Sequence, residues 1–199
     1  GGTDIVSCFV LGNSNMPVFS GEIQCKSLGV NVDIFDENGK STRNKGELVC
    51  KSAIPSMPIG FWNDNKKEKY ISSYFSRFEN VWTQGDFANF TDNGGVVIYG
   101  RSDATLNPGG IRIGTSEIYR AVETLDEVIE SLAVAQEWDN DIRIILFVKL
   151  KPTVELTEEL IEKIKIRIRA HTSIRHVPAK VVKIMDIPKT KSGKIVELS

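Results

Sequence analysis

Lys189, Lys191 and Lys194 fall within six residues, interleaved with Thr190, Ser192 and Gly193. Each ammonium is a compact point charge suited to a phosphate or carboxylate oxygen, and the glycine lets backbone approach a ligand closely. On charge alone a solvated basic loop is the plainer reading. Gly85-Asp86, after Trp82-Thr83-Gln84, puts a carboxylate where it can accept two hydrogen bonds from a sugar diol, or simply form a turn. Gly100-Arg101-Ser102-Asp103 follows an apolar run; Arg101 there is either an anion contact or a surface charge, and Asp103 a turn former. Gly109-Gly110-Ile111-Arg112-Ile113-Gly114-Thr115-Ser116 approaches a phosphate-binding P-loop but has Thr115 where the lysine is required. Taken alone it is a glycine-rich turn carrying one arginine ahead of a helix.

The elements that must hold these residues fall into two regions. Up to about residue 102 the chain reads as β-structure. Val30–Ile34 alternates apolar with polar residues ahead of Asn38-Gly39, a strand followed by a hairpin turn. Glu47–Cys50 reads as the next strand, and Asp92–Gly95 separates Phe87–Phe90 from Val96–Tyr99. Residues 53–80 read as loop with one short helix. Beyond Gly100, Thr115 is expected to cap a helix carrying Ile118, Val122 and Leu125. Leu132–Ala135 and Ile142–Leu150 are expected strands, the second central because it is nearly continuous in apolar residues. Thr157-Glu158-Glu159 opens a helix with Leu160, Ile164 and Ile168 on one stripe, and Val181–Met185 is a last short strand.

Composition narrows the class without naming a reaction. Twenty-five Lys and Arg against 26 Asp and Glu leave a net charge of −1, which argues against bulk attraction to nucleic acid or an anionic membrane. No apolar run approaches the ~20 residues of a spanning helix. Gly1–Asp4 lacks the basic and apolar regions of a signal peptide, so a soluble, cytoplasmic protein is expected. Cys8, Cys25 and Cys50 form no Cys-x-x-Cys pair, and His171 and His176 are the only histidines, too few ligands for a structural zinc site. Three buried thiols are expected instead.

Order makes the separate signals specific. Gly-Glu-Leu-Val (46–49), Gly-Phe-Trp-Asn (60–63), Gly-Asp (85–86), Gly-Arg-Ser-Asp (100–103), Gly-Ile-Arg-Ile-Gly-x-x-Glu-Ile (110–118) and Pro-x-Thr-x-Ser-Gly-Lys-Ile (188–195) form a series along the whole chain. The series resembles the C-terminal part of the adenylate-forming acyl-CoA synthetases. Gly-Gly-Thr-Asp-Ile (1–5), Phe-Trp-Asn-Asp (61–64), Gly-Arg-Ser-Asp-Ala-Thr-Leu-Asn-Pro (100–108) and Arg-His-Val-Pro-Ala (175–179) look like the branch that acts on acetoacetate.

The resemblance implies an α+β fold: a β-rich, distorted barrel-like subdomain of the large adenylation domain over 1–102, then a small mobile C-terminal α+β domain over 103–199. It implies joining of a carboxylate to ATP with release of pyrophosphate, then transfer of the acyl group to coenzyme A. Gly2, Thr3, Asp86, Arg101 and Arg112 match nucleotide-binding positions. Asp4 stands where most relatives have a glutamate that helps hold Mg²⁺. Lys194 matches the catalytic lysine of adenylation, Asp103 the hinge, and Gly109, Gly110 and Arg169 positions near coenzyme A. ATP with Mg²⁺ and coenzyme A are the implied cosubstrates, with no prosthetic group. The implied partners are acetoacetate and the N-terminal remainder of the same enzyme, with no nucleic acid or membrane partner. The phosphate loop, adenine site and acyl pocket would precede Gly1, so the piece alone is expected to be inactive. A relative acting on another short acid or loading a carrier protein, and a non-enzymatic nucleotide- or coenzyme A-binding module, are the alternatives.

Overall fold

A computed structural model describes residues 1–197, which divide into two compact units meeting between Ile98 and Tyr99. In the first unit, β1 (Val10–Leu11) pairs antiparallel with β2 (Cys25–Lys26). Strands β3 (Val32–Phe35), β4 (Gly46–Cys50), β5 (Trp82–Phe90) and β6 (Val96–Arg101) form a four-stranded sheet in that order. The sheet stays open, so the barrel-like expectation resolves into an open sheet. All five residues of β4 are buried, as a strand covered on both faces requires. Ile34, Leu48, Trp82 and Val96 meet Ile5 and Phe9 in the core.

The helix expected within residues 53–80 is α1 (Glu68–Tyr74). Its first turn is capped from within the Phe-Trp-Asn-Asp motif: the Asp64 carboxylate accepts from the amides of Lys69 at 3.3 Å and Tyr70 at 2.9 Å. The helix lays Tyr74 flat on Trp82, ring centroids 3.8 Å apart.

The second unit carries α2 (Thr115–Val122), β7 (Val128–Trp138), β8 (Asp141–Leu150), α3 (Glu158–His171) and β9 (Lys180–Lys183). β8 is central, antiparallel to β7 and parallel to β9, as its apolar run implied. α3 makes the crossover between the two parallel strands and buries Leu160, Ile164 and Ile168, the stripe read from sequence. β7 runs well past Leu132–Ala135 at both ends, because Asp139 and Asn140, both at positive φ (52° and 59°), form a tight turn that lets its whole length pair with β8.

Two local expectations change. Thr115 does not cap α2; Gly114 occupies the cap position, with Glu117 accepting from its amide at 3.2 Å, and the Thr115 hydroxyl is used elsewhere. Nor are the three thiols all buried. Cys50 is, Cys25 is half-buried, and Cys8 is exposed outside any strand, because the Gly2–Ser7 turn brings it to the surface. Among the described residues no group of three or more His, Cys, Asp and Glu could hold a metal, and no helix is long and apolar enough to cross a membrane.

Candidate active site

The first unit gathers Gly2, Thr3 and Asp4 beside the β5 segment that carries Asp86. Residues 2–7 close a small turn: Gly2 bridges to Ser7, and the Val6 amide donates to the Thr3 carbonyl at 3.1 Å. Gln84 holds this turn against the sheet. Its Nε2 donates to the Gly1 carbonyl at 3.3 Å, while its Oε1 accepts from Trp82 Nε1 at 3.1 Å. A side chain at Gly2 would start 2.9 Å from Gln84 Nε2, so the glycine permits the close approach. Thr3 and Asp4 are exposed on the turn, and the Tyr74 hydroxyl donates to Asp4 Oδ2. The ring that stacks on Trp82 thereby fixes the carboxylate.

Asp86 sits in the middle of β5. Opposite β4, Thr83 pairs with Val49 and Phe87 with Glu47, so Gln84, Gly85 and Asp86 together face the single residue Leu48. This is a β-bulge with two extra residues, and Gly85 supplies its positive φ of 80°. The bulge lifts Gln84 and Asp86 out of the regular ladder next to the Gly1–Asp4 turn. Neighbouring residue pairs cannot reveal it, since it exists only relative to β4.

In the second unit Arg101, Asp103 and Arg112 converge on one turn. Arg101 Nε lies 3.3 Å from Asp103 Oδ1, and its Nη2 lies 3.4 Å from Oδ2. Arg112 reaches back to the same turn, its Nη2 donating to the Ser102 carbonyl at 3.0 Å and to Thr105 Oγ1 at 3.2 Å. The loop carrying Arg112 is closed at its base by two backbone bonds between Leu106 and Ile113, of 2.9 and 2.7 Å. At its tip, Gly109 and Gly110 both adopt positive φ, 58° and 76°, which a side chain would strain. The Gly109 amide donates to Asp141 Oδ1 at 3.0 Å, tying the tip to the β7–β8 turn. Backbone hydrogen bonds from Ile142 and Gly109 hold the Asp141 carboxyl below the usual carboxylate range.

Arg169 is exposed in the last turn of α3, and no hydrogen bond or ion pair joins it to the glycine tip among the described residues. The cation beside that tip is Arg175, whose Nη1 stands 3.1 Å from where a Gly109 Cβ would be. In the sequence Arg175 stands out only as a member of the Arg-His-Val-Pro-Ala motif; its place, between α3 and β9 where the chain turns back, is the available signal.

Lys194 lies on a hydrogen-bonded hairpin rather than an open loop. Lys189 bridges to Ile195, Thr190 donates to the Lys194 carbonyl at 2.8 Å, and Val196 donates to the Pro188 carbonyl at 3.0 Å. Thr190 Oγ1 accepts from the Lys194 amide at 3.2 Å, and Gly193, at φ 83°, makes the turn. Lys194 itself is exposed. Asp103–Leu106 and the hairpin residues Pro188, Val196 and Glu197 line one cleft of about 470 Å³, floored by Leu132–Ala135 of β7.

Comparison with known proteins decides what this arrangement belongs to. Over its full length the chain is 61% identical to "Acetoacetyl-coenzyme A synthetase" of Rhizobium meliloti and 48% identical to "Acetoacetyl-CoA synthetase" of Danio rerio, covering 31% and 30% of those proteins. It superposes on the solved "Acetoacetyl-CoA Synthetase from Streptomyces lividans" with a TM-score of 0.93 at 43% identity, covering 100% of this chain and 30% of that one. The chain is similar along its whole length to one segment of acetoacetyl-CoA synthetases. It spans about 30% of the length of the curated acetoacetyl-CoA synthetases it matches. No family model matches the chain. The acetoacetyl-CoA synthetase match runs through both units, so the Gly1–Asp4 turn, the β5 bulge, the Arg101–Asp103 turn and the Lys194 hairpin all lie inside it.

Proposed function

We propose that this chain supplies the nucleotide-facing edge, the hinge and the adenylation lysine of an enzyme that joins acetoacetate to coenzyme A at the expense of ATP. The observation that carries the reading is the 61% identity along the whole chain to an acetoacetyl-coenzyme A synthetase.

In the first half-reaction an acetoacetate oxygen attacks the α-phosphorus of ATP, the bond to the bridging oxygen breaks, and pyrophosphate leaves. Negative charge gathers on the non-bridging oxygens as two anions approach. A long-stemmed ammonium, Lys194, neutralises that charge in the transition state. Asp86 on its bulge accepts hydrogen bonds from the two ribose hydroxyls, Arg101 lies beside them, and Arg112 serves the phosphates. The Thr3 hydroxyl donates to a phosphate oxygen, with Gly2 keeping the backbone close.

Magnesium fits Asp4 in one respect. A single exposed carboxylate, with no cluster of ligands around it among the described residues, suits an ion that takes most of its oxygens from phosphate and water. When bound, the ion would offset phosphate charge; Tyr74 orients the Asp4 carboxylate through its hydroxyl.

In the second half-reaction the coenzyme A thiolate attacks the acyl carbonyl and AMP leaves. Rotation about Asp103 withdraws Lys194 and brings up the Gly109-Gly110 tip, where the lack of side chains leaves room for a pantetheine arm. Arg169 and Arg175 are the cations for its phosphates.

The test uses a full-length synthetase carrying this segment. Wild type should show acetoacetate-dependent exchange of pyrophosphate into ATP and should form acetoacetyl-CoA. Lys194→Ala should abolish the exchange yet still convert preformed acetoacetyl-adenylate to thioester. Equal loss of both half-reactions removes Lys194 from the adenylation step.

A further inference from the structure

The hairpin that presents Lys194 is a short two-stranded ladder, and such ladders are marginally stable in water unless something outside them holds them. Two anchors hold this one. On its first leg Lys189 pairs with Glu130 of β7, and Lys149 of β8 joins the same group, 3.7 Å from Glu130 and 2.8 Å from Asp186. On its second leg, three residues past Lys194, Glu197 enters the unit. Its Oε1 accepts from Thr115 Oγ1 at 2.6 Å and from the Tyr119 hydroxyl at 2.8 Å.

The two anchors differ in kind. Glu130, Lys149, Asp186 and Lys189 make water-accessible ion pairs, which contribute little and weaken with salt. Glu197 meets Thr115, which is 1% exposed, and Tyr119, whose phenol burial pushes well above its ordinary range. Tyr119 is fixed in turn, since its oxygen accepts from the Ala133 amide of β7 at 3.2 Å. Hydrogen bonds from buried donors such as these hold more firmly than solvent-exposed ion pairs.

We infer that Glu197 is a positioning residue for adenylation: its carboxylate, held by Thr115 and Tyr119, fixes the Lys194 hairpin to α2. The inference rests on the role proposed above for Lys194. It also explains why Thr115 does not cap its own helix, because its hydroxyl is turned to Glu197.

The test measures both half-reactions in the full-length synthetase for Glu197→Ala, Glu197→Gln, Thr115→Val and Thr115→Ser. A loosened lysine should cost about tenfold or more in the rate of adenylate formation, because ångström-scale misplacement of a reacting group has effects of that order. We expect that loss in kcat for Glu197→Ala and Thr115→Val, with KM for ATP little changed. Conversion of preformed adenylate to thioester should stay within about twofold, since Lys194 takes no part in it. Glu197→Gln keeps an acceptor oxygen and Thr115→Ser keeps the hydroxyl, so both should recover most of the rate. Losses of equal size in both half-reactions, or no loss in either, overturn the positioning role. A wild-type enzyme that makes no thioester from acetoacetate, ATP and coenzyme A overturns the underlying functional reading instead.

Discussion

The guanidinium of Arg101 faces the carboxylate of Asp103 two residues on, with Nε at 3.3 Å from Oδ1 and Nη2 at 3.4 Å from Oδ2. Both side chains are about half exposed, at 47% and 53%. A pair in that setting contributes about 0–1 kcal/mol. A contact of that size steadies a turn without locking it, which suits the hinge proposed at Asp103. Asp103→Ala should therefore change unfolding free energy by less than about 1 kcal/mol in denaturant titration. Asp103→Pro, which restricts the backbone itself, should slow steady-state thioester formation in the full-length synthetase by about tenfold while single-turnover adenylation persists. Unchanged turnover in the proline variant would refute the hinge.

Gly114 should be the least replaceable glycine of its motif. Its backbone is ordinary, at φ −77°, yet a Cβ there would start 2.5 Å from the Tyr99 Cβ and closer still to the Tyr99 carbonyl oxygen. Gly114→Ala should lower stability by about 1–3 kcal/mol, as overpacking does. Gly110→Ala meets nothing within 4 Å and should cost about 1–2 kcal/mol through its positive φ alone. Urea midpoints of the two variants test the ranking.

Acid should release the glycine tip before the rest of the unit unfolds. The folded Asp141 carboxyl lies below its ordinary value, so the anchor to the Gly109 amide is fully present above the unfolded value near ~3.9 and is lost as pH falls through the lowered one. The Gly109 amide resonance should shift across that acid window in an NMR titration. In Asp141→Asn it should not.

Ile164 is fully buried on α3, with Leu160 and Ile168 on either side. Ile164→Ala should cost about 2–5 kcal/mol by thermal or chemical denaturation.

What the sequence disclosed follows the range of the interactions involved. The stripe of Leu160, Ile164 and Ile168, the central strand β8 and the short helix before Trp82 are written in local periodicity. The Thr115–Glu197 bond spans 82 residues, and the Gln84–Asp86 bulge depends on β4, far upstream. No window of neighbouring residues holds that information. Asp64 is obscure for the opposite reason: nothing in its immediate neighbours marks it as a cap, and only the position of α1 makes it one. The candidate site was legible as an ordered list of motifs, and its bracing residues, Gln84, Arg175 and Glu197, were not.

The bulge in β5 has an arithmetic that constrains what the segment tolerates. Trp82 pairs with Cys50 and Ala88 with Gly46, so two surplus residues lie between them and the inward and outward sides of the strand are the same before and after. An odd change in length would break that parity and swap the sides of Phe87 and Ala88, both of which are buried, so that both faces of the sheet would have to repack. Loss of both Gly85 and Asp86 would restore an even ladder around an unchanged core, giving a sheet that folds but has no carboxylate at this edge. Parity thus separates the part of β5 that builds the protein from the part that reaches outward, and a length variant can remove the second while sparing the first.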